Sequence, residues 1–274
     1  MTPPRDDVAI RLADTVTRLD AGHAGCVLVT GSHGGLIAAR YAAAARVRAA
    51  IFNDAGRGLD DAGVAGIAWL ARLGIAAAAV THDSARIADA ADSFARGRIG
   101  CANAAARACG VAVGEECADA ARKLCCAPRV IVDAPPPASE GRHVLAPGRG
   151  RTATIAGLDS IGLLEQGDAG RVLVVGSHGG LHGGDPASAL PVAARAAFFH
   201  DAGVGRDAAG TTRLAVLDAR GLAAATVGHR SARIGDARSM WATGVLSVVN
   251  DTARRAGLAA GMPLRDAALL LARR

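Results

Sequence analysis

Cys26-Val-Leu-Val-Thr-Gly-Ser-His-Gly-Gly-Leu36 is a short apolar run that stops at a glycine-rich polar corner, and it returns 145 residues later as Arg171-Val-Leu-Val-Val-Gly-Ser-His-Gly-Gly-Leu181. An apolar run of this length ending at glycine reads as a buried strand of a parallel sheet. Working outward, Asn53-Asp-Ala-Gly56 returns as His200-Asp-Ala-Gly203, now 147 residues on, so two residues entered between these motifs in the second copy. Residues 54–121 then align over 201–268 without a gap. That span sets His82-Asp-Ser-Ala-Arg-Ile-Ala-Asp89 over His229-Arg-Ser-Ala-Arg-Ile-Gly-Asp236, and Asn103 over Asn250. Upstream, Asp14-Thr-Val matches Asp159-Ser-Ile. The chain is a tandem duplication.

Each copy alternates strand and helix. After the opening strand come Ala49–Phe52 and Ala197–Phe199, then Ile75–Val80 and Leu222–Val227, then Arg98–Cys101 and Val245–Val249. Between the second and third, Asp60 to Leu73 has helical spacing, an acid at its start and Gly74 as its stop. The expected fold class is α/β, an open, mostly parallel sheet flanked by helices in three layers, written twice with pseudo-twofold related halves. The first repeat covers 1–145, including a linker from about residue 122 with Pro135-Pro-Pro137 and a strand-like Val130-Ile-Val132, and the second covers 146–274.

Composition narrows the chemistry. The chain has 274 residues, 51% of them hydrophobic, which supplies a core and argues against disorder. Lys123 is the one lysine and Tyr41 the one tyrosine, so a G-x-x-x-x-G-K-[ST] phosphate loop cannot be written and no nucleotide or pyridoxal-phosphate motif is present. The net charge of +6 invites nucleic acid, but the arginines are interleaved with acids and seven aromatics build no base-stacking platform. All six cysteines lie in the first repeat with no C-x-x-C, and none recurs in the second. They read as reduced, mostly buried residues, and a cysteine nucleophile is disfavoured. Without a signal-peptide run or a membrane-length apolar stretch, the expectation is a soluble, cytoplasmic protein.

Polar residues that survive in both copies mark the site. Most fall just after a strand, and parallel strands deliver their carboxyl ends to one edge, where open α/β folds bind ligands. Ser32, His33, Asp54, His82, Ser84 and Asn103 are therefore expected to converge. The candidate catalytic groups are His33, Asp54 and His82, with His178, Asp201 and His229 in the second copy: histidine as base, aspartate as its orienter, and Ser32 or Ser84 as nucleophile or hydrogen-bond donor. Substrate-binding candidates are Ser32, Gly34, Gly35, Ser84 and Arg86, with Ser177, Gly179, Gly180, Ser231 and Arg233. The glycines let main-chain N–H groups approach an anion, and the arginines either clamp a carboxylate or pair with Asp89 and Asp236. Asp60 and Asp207 read as helix-start acids, and Asn103 and Asn250 as helix caps.

Three chemistries fit these residues. One is a hydrolase or lyase acting on a small anionic metabolite bearing carboxylate or phosphate. Another is a duplicated small-anion binding or sensor module without turnover. The third is a metal-dependent hydrolase with a two-histidine, one-aspartate site for a divalent metal. The second copy, richer in histidine and arginine, is expected to be the more active. The partner is the small anionic metabolite rather than nucleic acid or membrane, with a homo-oligomer left open.

Overall fold

A computed structural model of the chain describes residues 8–130 and 141–273. These form two compact units. The first holds the described residues up to Asp54 and from Val64 to residue 130; the second holds Ala55–Gly63 together with those from residue 141 on.

In the first unit the chain runs β1 (Ile10–Ala13), β2 (Val27–His33), α1 (Leu36–Ala44), β3 (Ala49–Asn53), α2 (Ala65–Arg72), β4 (Ala76–Val80), α3 (Ala90–Arg96), β5 (Ile99–Ala102), α4 (Ala104–Ala108) and α5 (Cys117–Leu124). Its sheet has the order β1-β2-β3-β4-β5. Strands β1 to β4 are parallel, and β5 is antiparallel to β4. Every residue of Ala49-Ala-Ile-Phe-Asn53 and Ala76-Ala-Ala-Ala-Val80 is buried, as in a sheet covered on both faces. Alternation sends Leu28, Phe52 and Ala77 to one face, under α1 and α2 with Leu70. Val27, Val29 and Ile51 go to the other, against Cys117 and Leu124 of α5. Small alanines such as Ala39 and Ala42 let α1 lie close to the strands.

The second unit runs β6 (Arg142–Ala146), β7 (Ile155–Leu158), β8 (Val172–His178), β9 (Ala196–His200), α6 (Arg213–Ala219), β10 (Ala223–Val227), α7 (Ala237–Thr243), β11 (Leu246–Val249), α8 (Asp251–Arg255) and α9 (Leu264–Ala272). The sheet order is β11-β10-β9-β8-β7-β6, with β7 to β10 parallel and the two edge strands antiparallel. Two cores again flank the sheet, one around Val174, Phe198, Met240 and Leu271, the other around Leu173, Phe199 and Leu217. Both sheets are thus mixed and mostly parallel, flanked by helices in three layers.

The elements differ from the sequence expectation at several points. Strands β1, β6 and β7 were not foreseen, because four-residue segments such as Ile155-Ala-Gly-Leu158 carry little periodicity. The helix expected from Asp60 begins only at Ala65, since Asp60 and Asp61 take left-handed φ of 56° and 54°. A helix follows the Ser-His-Gly-Gly corner in the first unit only. After His178 the chain makes two short 3-10 turns, His182–Gly184 and Pro186–Ser188. The Pro135 stretch and nearly all of the strand-like Val130-Ile-Val132 lie outside the described residues. Among the described residues no helix is long and apolar enough to cross a membrane.

Candidate functional site

Parallel pairing sets three of the recurring motifs side by side. His33 is in register with Asn53 and Asn53 with Val80, and adjacent strands lie about 4.8 Å apart. Asp54 N donates to Val80 O at 2.9 Å, which turns the carboxylate towards the residues after β4. There Asp54 Oδ1 accepts the main-chain N–H of His82 at 2.8 Å and lies 3.0 Å from its Nδ1. In the second unit Asp201 Oδ1 accepts the N–H groups of His229 and Gly203, each at 2.9 Å, with His229 Nδ1 at 3.3 Å. Burial works to raise the Asp201 carboxyl, but the neighbouring His229, the His200 charge and the Gly203 N–H outweigh it and hold it below its ordinary range. A carboxylate at Nδ1 favours the proton on that nitrogen; at His82 a second carboxylate, the exposed Asp83, also lies 3.3 Å from Nε2.

His33 and His178 are arranged the other way round. His33 Nδ1 accepts the N–H of Gly35 at 3.1 Å, and His178 Nδ1 that of Gly180 at 3.2 Å. Accepting at Nδ1 places the neutral ring's proton on Nε2, so these two histidines are donors rather than bases. The same bonds use up the glycine N–H groups, and Gly34 and Gly179 donate to Asn53 O and His200 O. The corner's own amides are therefore satisfied, and its imidazole N–H lies on Nε2.

Between these motifs the chain takes an unusual path. Ala55, Gly56, Arg57 and Gly58 have φ of 50°, 70°, 60° and 71°; Ala202, Gly203, Val204 and Gly205 have 50°, 79°, 61° and 69°. Each is a left-handed turn, costing roughly 1–2 kcal/mol per non-glycine residue, and such strain gathers at functional sites. In the second unit Leu59 N donates to His229 O at 2.8 Å, and a Cβ on Gly56 would lie 2.9 Å from Gly203 Cα and 3.1 Å from His229 Cδ2. The Ala55–Gly63 segment is thus part of the wall around His229.

Other recurring residues hold the frame. Ser32 Oγ accepts the N–H of Val16 at 3.0 Å, and Ser177 Oγ that of Ile161 at 2.9 Å. Ser84 Oγ accepts from Arg98 N and Ser231 Oγ from Val245 N, joining the corner after one strand to the start of the next. Arg86 Nη2 reaches Asp89 at 2.9 Å and Asp92 at 3.3 Å; Arg233 Nη2 pairs with Asp60 at 2.6 Å and its Nη1 lies 3.7 Å from Asp236. Asn103 does not join the others, which corrects the expected convergence. Because β5 runs antiparallel, Asn103 falls at the opposite edge, capping α4 through Ala106 N and bonding Ala77 N, Ile67 O and Ile75 O. Asn250 repeats this at α8. Among the described residues no three His, Cys, Asp or Glu side chains are grouped to hold a metal ion. Of the cysteines, only Cys26 and Cys117 are buried, and burial pushes their thiols up to about 11 and about 12, away from nucleophilic thiolate.

Two positions outside the expected site residues shape the site. Gly31 O accepts from Ala88 N at 2.8 Å, and a Cβ on Gly31 would sit 2.5 Å from Asp89 N. Gly176 has the same role, with Asp236 N at 2.8 Å, so glycine here lets the loop after His82 or His229 lie on the strand bearing the other histidine. Asn53 and His200, unlike in type, do one job: Asn53 Nδ2 donates to Ala85 O and His200 Nε2 bonds Ala232 O. Recurrence of the glycine was the available signal for the first; nothing in the sequence marked the second. The chain matches no protein-family model, no curated protein and no solved structure.

Proposed function

We propose that each unit carries an Asp–His general base at the carboxyl edge of its sheet, and that the protein is a hydrolase or lyase acting on a small carboxylate- or phosphate-bearing metabolite. The observation that carries this is the grip of Asp54 on His82 and of Asp201 on His229, each carboxylate taking the main-chain N–H and facing Nδ1. In this reading Nε2 of His229, or of His82 once the exposed Asp83 side chain turns away from it, takes a proton from water or from carbon beside the substrate's carboxylate, and the aspartate stabilises the imidazolium. Nε2–H of His33 or His178 donates to the oxygen on which negative charge develops. The six cysteines, all free thiols, suit a reducing compartment such as the cytoplasm.

The test is turnover of a panel of small carboxylate and phosphate esters and hydroxy acids by the full chain. His82→Asn with His229→Asn should lower turnover by at least about a hundredfold, with an unchanged melting temperature. Saturable binding of panel members without turnover by the wild type would instead make the protein a binding module and overturn the enzyme reading.

A further inference from the structure

Arg213, the first residue of α6, is fully buried and tops the buried side chains in size among the described residues. Its Nη1 donates to Ser188 O and Ala189 O, and its plane lies over the Phe199 ring, 5.5 Å from the centroid. Nε and Nη2 have no hydrogen-bond partner among the described residues. Those two N–H groups share one edge of the guanidinium, the edge that receives two oxygens side-on. Burial lowers the Arg213 pKa to about 10 with no acidic neighbour offsetting it, so the group stays a cation at neutral pH. A buried cation with an open fork is costly unless an anion answers it.

The first unit lacks this feature. The equivalent residue there is Gly66, where a Cβ would lie 2.5 Å from both Ala39 Cβ and Gly35 O, because α1 fills the space. In the second unit the two short turns replace that helix and the arginine enters. Its main chain is bound to the histidine-bearing corner, Arg213 N donating to Gly179 O at 2.8 Å and Leu181 N to Thr212 Oγ1 at 2.9 Å.

We propose that Nε and Nη2 of Arg213 hold two oxygens of a small carboxylate or phosphate group, making an oxyanion site private to the second unit. This goes beyond the Asp–His reading and stands without it. The experiment is calorimetric titration and thermal melting of the full-length protein, dialysed into chloride buffer at neutral pH, with formate, acetate or inorganic phosphate replacing chloride at constant ionic strength. Saturable binding and a melting temperature raised by several degrees are expected; response to formate and acetate alone assigns a carboxylate, response to phosphate alone a phosphoryl group. Arg213→Gln, which keeps an amide donor for the Ser188 and Ala189 carbonyls, should abolish the response. Arg213→Lys, a point charge without the fork, should weaken it about tenfold or more. An equal response from Arg213→Gln overturns the proposal. So does a wild type that binds none of the three anions, whether or not the variants fold, and a buried water on the same two N–H groups would give that result.

Discussion

At His33 and His178 the ring nitrogen nearest the main chain accepts an N–H from two residues on, whereas at His82 and His229 it faces a carboxylate. Four histidines that look alike in sequence are thereby divided into two whose Nδ1 accepts an N–H and two whose Nδ1 faces a carboxylate. Long-range 15N–1H correlation spectra at a pH where the rings are neutral should show Nε2–H for His33 and His178 and Nδ1–H for His82 and His229. His33 found in the Nδ1–H form would contradict its role as donor. Asn103 satisfies two N–H groups and two carbonyls, from α4, β4, α2 and the turn just before β4, all buried. Asn103→Ala should cost about 3 kcal/mol in urea unfolding and leave any turnover per folded molecule unchanged, because the residue lies at the edge away from the histidines.

Among elements, β2 and β8 decide how the motifs meet. Each continues through Gly-Ser-His instead of ending at the glycine, which brings the histidine into register with β3 or β9. That extension depends on the bare glycine under the backbone of residues 88–89 or 235–236. Gly31→Ala or Gly176→Ala should therefore destabilise by about 2–3 kcal/mol, the range of overpacking, measured by the denaturation midpoint at unchanged slope. The apolar run of β2 was readable from residues 26–30, but its last residues were not, since polar Ser32 and His33 resemble a turn until the neighbouring strand supplies partners. The direction of β5 was equally hidden. A strand's apolar pattern is the same in either direction, so Asn103 could be assigned to an edge only from the ladder with β4.

For the whole molecule, buried titratable groups couple folding to pH. Burial holds the His200 pKa below its ordinary 6.5, outweighing the Asp201 charge that pulls it up. The unfolded chain then binds the proton more readily, so stability falls as pH drops below 6.5 towards the lowered folded value. Asp201, held below its ordinary 3.8, contributes stability that is present above 3.8 and lost as pH falls through its folded value. Acid unfolding should show a first loss from His200, and His200→Asn should remove it while keeping a donor for Ala232 O, as Asn53 does for Ala85 O. An unaltered stability–pH curve in His200→Asn would refute this account. The amino-acid sequence by itself determined that one α/β unit is written twice, that its strands are buried on both faces, and that polar motifs stand at their ends. Burial leaves a periodic trace in the residues of each strand, and duplication preserves it twice. Which aspartate holds which histidine, which ring nitrogen carries the proton, and which arginine is left with an open fork were decided only by the tertiary structure. Asp54 and His82 are 28 residues apart and meet because β3 and β4 are neighbours in the sheet. Hydrogen bonding is set by that adjacency and by a glycine's missing Cβ, neither of which leaves a local pattern along the chain.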